Sequence, residues 1–175
     1  MNTANKITMI RLALIPAFVA VLYIGFDGSN YAAMGIFIAA ALTDVADGYI
    51  ARKKGQVTDF GKFLDPLADK ILVFAAILWF VEKDLIPGWA ALVVVIREFM
   101  VTALRLLAIG KGRVIPAGLS GKIKTLVTII CLAAMFLPLQ QWMLYACIAA
   151  IIGTTVFSGI DYFIKNKDIM KMGWK

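Results

Sequence analysis

The chain has 175 residues, of which 62% are hydrophobic and only 17% are charged, and its mean hydropathy is +0.87. This apolar content argues against a soluble single domain. The sequence has no histidine, which excludes histidine metal ligands, histidine general bases and Ser-His or Cys-His nucleophilic pairs. Cys131 and Cys147 lie in apolar runs and are predicted to be packing residues, so no disulfide, zinc or iron–sulfur site is expected.

Six apolar runs predict six transmembrane helices, because about 20 apolar residues are needed to cross a bilayer. The first run lacks a convincing small-residue cleavage site and is predicted to be an uncleaved anchor. In chain order the predicted spans are Ile7–Gly25, Tyr31–Ile50, Phe63–Val81, Pro87–Ile109, Ile123–Leu139 and Trp142–Ile164.

Basic residues are concentrated in alternate connections between these spans. Lysines and arginines exceed acids by 18 to 11, for a net charge of +7. The basic residues are Arg52, Lys53, Lys54 and Lys62 after span two, Lys111, Arg113, Lys122 and Lys124 after span four, and Lys165, Lys167, Lys171 and Lys175 in the tail. The positive-inside rule then places both termini and both basic loops in the cytoplasm. In such an apolar chain the charge predicts contact with anionic lipid or substrate rather than nucleic acid.

Four aspartates occupy energetically costly positions in two of the predicted spans. Asp44 and Asp47 interrupt the second span, and Asp65 and Asp69 open the third, where each charge costs about 2.5–3.5 kcal/mol. Spacings of i,i+3 and i,i+4 place each pair on one helical face. Both pairs fall near the cytoplasmic interface, so we expect one pocket of four carboxylates.

A pocket of four carboxylates requires cations or protons, because neighbouring like charges cannot all stay ionised. Carboxylate oxygens favour Mg²⁺ or Mn²⁺, and two such ions can clamp a phosphate during in-line displacement. Gly48 and Gly61 lie one helical turn from these acids and permit close approach of a ligand. Arg52, one turn after Gly48, suits a phosphate oxygen.

The whole pattern reads Asp44-x-x-Asp47-Gly48-x-x-Ala51-Arg52, eight residues, and Gly61-x-x-x-Asp65-x-x-x-Asp69. It resembles, at all eight positions, the signature of the CDP-alcohol phosphotransferases, which transfer a phospho-alcohol group from a CDP-linked donor to an acceptor hydroxyl. The resemblance covers essentially the whole chain as a single domain, 1–175. It implies an all-α integral membrane bundle of six transmembrane helices, usually homodimeric, in the cell membrane with a cytoplasmic active site.

The same resemblance implies roles for individual residues. Asp44, Asp47, Asp65 and Asp69 would bind two divalent ions, Mg²⁺ or Mn²⁺, that hold the donor pyrophosphate, and Asp69 would be the base for the acceptor hydroxyl. The donor contacts that we expect are Asn5, Thr8, Gly48, Arg52, Thr58 and Gly61.

Further stretches resemble the phosphatidylglycerophosphate synthase branch of the family. They are Asn5-x-x-Thr8-x-x-Arg11, with Ala4 in place of that branch's proline, Arg97-Glu98, Arg105 and Gly121-Lys122-x-Lys124-Thr125. This branch implies CDP-diacylglycerol as donor and sn-glycerol 3-phosphate as acceptor. The expected ligands of the acceptor phosphate are Arg97, Arg105, Arg113, Lys122 and Lys124.

Other interpretations of these residues stay open. Juxtamembrane lysines and arginines often set topology or contact lipid headgroups. Arg97 and Glu98 lie deeper and are expected to join a polar network, with Arg105 two turns further along the same face. Inositol phosphate, serine or phosphatidylglycerol is an alternative acceptor. An ion-coupled transporter or a non-catalytic assembly protein is a more distant alternative.

Overall fold

The computed structural model describes residues 3–54, 59–110, 112–113, 115–116 and 118–168, and within these ranges it describes side chains except at 3–8, 11, 44–54 and 59–69. The regular structure in these ranges is entirely α-helical. The helices are α1 (Thr3–Ile24), α2 (Ser29–Lys54), α3 (Asp59–Glu82), α4 (Gly88–Gly110), α5 (Leu119–Met135) and α6 (Gln141–Lys165).

The helix order confirms the six predicted elements, although α2 and α5 end several residues away from the predicted boundaries. α2 continues past the predicted end at Ile50 to Lys54, because backbone hydrogen bonds can extend a helix through polar sequence beyond an apolar run. α5 instead ends at Met135, before the predicted end at Leu139. Pro138 explains the early end, since a proline disfavours helical conformation in the residue before it.

α3 and α4 end in the same hydrogen-bonded motif. After α4, Gly112 has a φ of +72°, its N–H donates to the carbonyl of Ile109, and the N–H of Arg113 donates to Ala108. After α3, Asp84 takes the corresponding position with a φ of +57°. These bonds satisfy carbonyls that the last helical turn leaves unpaired. They also fix the backbone of Arg113 directly after α4.

The first of two compact units comprises the described residues up to Trp79 together with Leu132–Pro138. In it α1 packs against α2. Its centre holds three buried aromatic rings, Phe18, Phe37 and Phe136, with ring centroids 5.9–6.1 Å apart. Such distances are typical of favourable aromatic packing, so this unit has an apolar centre.

The second unit comprises Phe80–Cys131 and the described residues from Leu139 onward, and in it α4 packs against α6. Val101, Leu104 and Ala108 of α4 form a buried cluster with Tyr162 of α6. Among the described side chains, the buried charged or hydroxyl ones all belong to this unit: Lys124, Thr128, Thr155 and Ser158.

One helix of the described part of the chain, α6, is long and apolar enough to cross a membrane. The segments Leu12–Ile24 and Ser29–Thr43 are apolar but shorter. Many large apolar side chains are exposed on the helices, including Phe99, Leu106 and Phe157. The fold is therefore all-α with a helix suited to a membrane, whereas the number of spans and the side of the termini stay predictions.

Candidate active site

The four aspartates predicted to bind metal lie in regular helix. Asp44 and Asp47 belong to α2, and Asp65 and Asp69 belong to α3. Because both segments are helical, residues spaced i,i+3 or i,i+4 lie on one helical face. The four side chains lie outside those that the structure describes, so their convergence stays a prediction. Among the side chains that are described, no group of three or more acids or cysteines suits a metal ion.

The predicted donor contacts also fall outside the described side chains. Asn5 and Thr8 lie in α1, Gly48 and Arg52 in α2, and Gly61 in α3. Thr58 lies in 55–58, outside the described residues. The part of the predicted site that the structure describes is therefore the basic side chains of the second unit.

Glu98, near the middle of α4, is the centre of a partly buried ionic network. Its Oε1 atom accepts a hydrogen bond of 2.8 Å from Nη1 of Arg97 and one of 2.7 Å from Nζ of Lys124 in α5. Lys124 is only 4% exposed. Nη2 of Arg97 donates to Oγ of Ser158 in α6 at 2.6 Å. The network joins α4, α5 and α6. The single charge of Glu98 balances only one of the two positive charges of Arg97 and Lys124.

Two glycines leave space for the Arg97 side chain. A methyl group placed on Gly159 would lie 3.3 Å from Cγ of Arg97, and one on Gly121 would lie 3.6 Å from Nη2. The buried atoms Nε of Arg97 and Oγ1 of Thr155 have no hydrogen-bond partner among the residues described. Such atoms are rare in proteins, and here they lie on the α4 and α6 elements that pack together.

Arg105 has a different environment, two turns further along α4. Its Nε donates to the hydroxyl of Tyr162 at 3.2 Å, and its guanidinium carbon lies 5.6 Å from the centroid of the tyrosine ring. Within the described ranges, its two Nη groups have no partner. Arg105 was expected to belong to the same polar network as Glu98, but its described hydrogen bond goes to a neutral side chain on α6 instead. No described carboxylate therefore balances the positive charge of Arg105.

A third polar cluster links α5 to the end of α6. Oγ of Ser120 donates to Oδ2 of Asp161 at 2.5 Å. Lys165, which is 65% exposed, forms an i,i+4 ion pair with Asp161 at 2.8 Å. The carboxylate of Asp161 is thus paired with Ser120 and Lys165.

The remaining two predicted acceptor ligands, Arg113 and Lys122, are exposed. Neither has a side-chain partner in the described part of the structure. The five cations predicted for the acceptor phosphate thus fall into three environments: Arg97 and Lys124 share a carboxylate, Arg105 bonds to a phenol, and Arg113 and Lys122 face outward. Their binding of the acceptor phosphate stays a prediction.

Sequence reasoning missed the polar side of α6. Thr155, Ser158, Gly159 and Tyr162 follow the i, i+3, i+4, i+7 spacing of one helical face. Thr155 and Ser158 are 0% and 1% exposed, and Tyr162 is 6% exposed. The spacing of hydroxyl residues in an otherwise apolar helix was the available indication that this face packs against charged partners.

The family model for CDP-alcohol phosphatidyltransferases matches residues 1–156 of this chain. The chain therefore belongs to the CDP-alcohol phosphatidyltransferase family, as its eight-position signature predicts.

Several curated relatives match along most of their length. A Bacillus subtilis (strain 168) protein named CDP-diacylglycerol–glycerol-3-phosphate 3-phosphatidyltransferase is 43% identical, over 97% of this chain and 97% of the relative. The Escherichia coli (strain K12) protein of the same name is 38% identical, over 85% of this chain and 84% of the relative. A Mycobacterium tuberculosis (strain ATCC 25618 / H37Rv) protein named probable phosphatidylglycerophosphate synthase is 38% identical, over 92% and 79% respectively.

Proposed function

We propose that this chain transfers the phosphatidyl group of CDP-diacylglycerol to sn-glycerol 3-phosphate, with phosphatidylglycerophosphate and CMP as products. The observation that carries the proposal is the similarity, along nearly the whole chain, to relatives whose names state this reaction. The complete aspartate signature and the basic residues of the second unit supply the chemistry that the reaction needs.

The donor set fits a pair of divalent cations. Asp44 and Asp47 lie one turn apart in a continuous helix, as do Asp65 and Asp69, and all four offer the oxygen ligands that Mg²⁺ or Mn²⁺ prefers. Two such ions, when bound, neutralise the donor pyrophosphate and the departing CMP. We assign the remaining donor contacts to Asn5, Thr8, Gly48, Arg52, Thr58 and Gly61.

The transfer is a direct displacement at phosphorus. The acceptor hydroxyl oxygen attacks the phosphatidyl phosphorus, and the bond from that phosphorus to the bridging pyrophosphate oxygen breaks. CMP leaves with the bonding electron pair, and Asp69 takes the hydroxyl proton. A covalent intermediate is not invoked, since no serine, cysteine or histidine stands out as a nucleophile in the sequence.

The role proposed for the five basic residues is to bind the acceptor phosphate. Arg105 makes the direct contact, because no described carboxylate is paired with its guanidinium and its Nη groups are available to donate. Arg113 and Lys122 attract the anion from exposed positions. Arg97 and Lys124 add the positive charge that Glu98 leaves uncompensated.

The proposed setting is the cell membrane, crossed six times, with both termini and the active site on the cytoplasmic side and the chain forming a homodimer. The apolar helix α6 supports membrane insertion. The basic connections after spans two and four support the orientation.

The function is tested by CMP release from purified full-length protein in detergent micelles containing CDP-diacylglycerol and Mg²⁺. We expect release with sn-glycerol 3-phosphate and none with inositol phosphate, serine or phosphatidylglycerol. Release with one of these other acceptors alone would overturn the assigned acceptor. Ion flux in liposomes without CMP release would support a transporter instead.

The base is tested by Asp69→Asn, with Asp27→Asn in the α1–α2 turn as the matched control. We expect Asp69→Asn to lower kcat by at least about 10²-fold, the usual contribution of a positioned base, and Asp27→Asn to leave kcat unchanged. A folded Asp69→Asn variant with wild-type turnover would show that the assigned base is wrong.

A further inference from the structure

We propose that Tyr162 is a positioning residue for the acceptor phosphate and acts through Arg105. Its hydroxyl holds Nε of Arg105, so that the two Nη groups are left to bind two phosphate oxygens. This inference rests on the proposed function, because it needs a phosphorylated acceptor.

The tyrosine is itself held rigidly. Its ring is 6% exposed and belongs to the buried cluster with Val101, Leu104 and Ala108 of α4. Nδ2 of Asn166 donates to the backbone carbonyl of Tyr162 at 2.8 Å. A phenol fixed in this way presents its oxygen at one place, which a surface side chain with free rotamers does not do.

The contact selects one binding mode of the guanidinium. An arginine can bind a phosphate through Nε with one Nη group, or through both Nη groups. The 3.2 Å bond to Tyr162 occupies Nε, which leaves the fork formed by the two Nη groups. Two parallel N–H donors suit two oxygens of a phosphate monoester.

Because Tyr162 is a neutral partner, the positive charge of Arg105 stays available to attract a phosphate dianion. Arg97 and Lys124 share the carboxylate of Glu98. The acid next to Tyr162 in the chain, Asp161, is engaged by Ser120 and Lys165. No described carboxylate is paired with Arg105, so the tyrosine orients this guanidinium without neutralising it.

The test is Tyr162→Phe, which keeps the ring and removes the hydroxyl, measured by CMP release at varied sn-glycerol 3-phosphate. We expect KM for sn-glycerol 3-phosphate to rise about tenfold, as for loss of one hydrogen bond to a charged group. The kcat and the KM for CDP-diacylglycerol should stay within about twofold. Tyr145→Phe is the matched control, since Tyr145 is exposed on α6 and its hydroxyl hydrogen-bonds only to Gln141 among the described side chains.

A double-mutant cycle separates positioning from general structural damage. In an Arg105→Lys background the fork is absent, so Tyr162→Phe should change KM by less than about twofold if it acts through Arg105. An additive tenfold effect in that background would overturn the proposal. Should Tyr162→Phe be recovered poorly, Tyr162→Leu provides a second side chain without a hydroxyl, and it should raise KM at least as much.

Different results would contradict the proposed function and the positioning role of Tyr162. Wild-type protein that releases no CMP with sn-glycerol 3-phosphate would overturn the proposed function. Active wild-type protein whose Tyr162→Phe variant keeps an unchanged KM, or loses kcat instead, would overturn the positioning role alone.

Discussion

The Glu98 network and the Arg105–Tyr162 pair lie on the same helix but use arginine in opposite ways. Arg97 reaches a carboxylate and a serine hydroxyl, and the second cation on that carboxylate, Lys124, is buried. Arg105 reaches only a phenol among the described side chains. A cation paired with an acid joins helices, whereas a cation paired with a neutral group stays available to an anion.

The two sites should also differ in what the loss of the partner group costs the protein. Two cations share one largely enclosed carboxylate in the Glu98 network, so removing that carboxylate leaves uncompensated charge inside the unit. Removing the Tyr162 hydroxyl leaves a guanidinium that can still be solvated or bind its ligand. The first site should therefore control stability, and the second should control substrate binding.

The largest effect is expected for Glu98→Gln. The amide keeps the shape of the side chain but leaves Arg97 and Lys124 without a counter-charge, so we expect a loss of about 3–5 kcal/mol in the free energy of unfolding in detergent. Asp161→Asn is the comparison, because its carboxylate is also paired in α6 but lies at the helix end. Equal losses in the two variants would contradict the special position of Glu98.

A smaller effect is expected for Gly159→Ala, measured against Gly153→Ala in the same helix. The added methyl group at Gly159 would meet Cγ of Arg97 at 3.3 Å, and Arg97 cannot move freely because Glu98 and Ser158 hold its tip. At Gly153 no described atom lies within 4 Å. We expect Gly159→Ala to be about 1–3 kcal/mol less stable than Gly153→Ala, from the cost of overpacking.

Gly153→Ala itself should gain about 0.5–1 kcal/mol, because alanine favours a helix interior over glycine. Thermal unfolding in detergent, followed by circular dichroism, compares the two variants directly. Equal stability would mean that the Arg97 side chain has room that the structure does not show.

A still smaller effect, on binding alone, is expected for Lys122→Gln. Lys122 is exposed without a described side-chain partner, so it can attract the acceptor only through solvent. We expect KM for sn-glycerol 3-phosphate to rise about twofold at low ionic strength, with the difference disappearing near 1 M salt, where the Debye length is about 3 Å. A rise that persists at high salt would indicate direct contact and weaken the distinction from Arg105.

The sequence predicted the helices and the family well because both depend on local pattern. Apolar runs identify the helices, and the aspartate spacing from Asp44 to Asp69 is readable without any tertiary contact. The position of Arg97 and Glu98 inside a predicted span also predicted a polar network, which the structure confirms. Hydropathy placed the C-terminal ends of four helices to within one residue but missed those of α2 and α5, the latter ending early, before Pro138.

The partners of the charged residues were not predictable in the same way. Lys124 meets Glu98 and Ser158 meets Arg97 across long stretches of chain, and many pairings satisfy the same charges. Its spacing along α4 suggested that Arg105 shares a polar network with Glu98, but the described side chain that it contacts is Tyr162 on α6. Helix packing decides this choice, and the pattern of a single helix contains no information about it.

The smallest effect is expected for Lys165→Gln, which opens an ion pair at the end of α6. Lys165 is 65% exposed, and its pair with Asp161 has i,i+4 geometry, a class that contributes little because solvent screens it and ordering the side chains costs entropy. We expect the thermal midpoint to move by no more than about 1 °C and KM for sn-glycerol 3-phosphate to stay the same. A rise in KM would instead implicate Asp161, once released from Lys165, as a competitor for Arg105. That result would contradict the inference that Arg105 is not paired with a carboxylate because Asp161 and Glu98 have other partners.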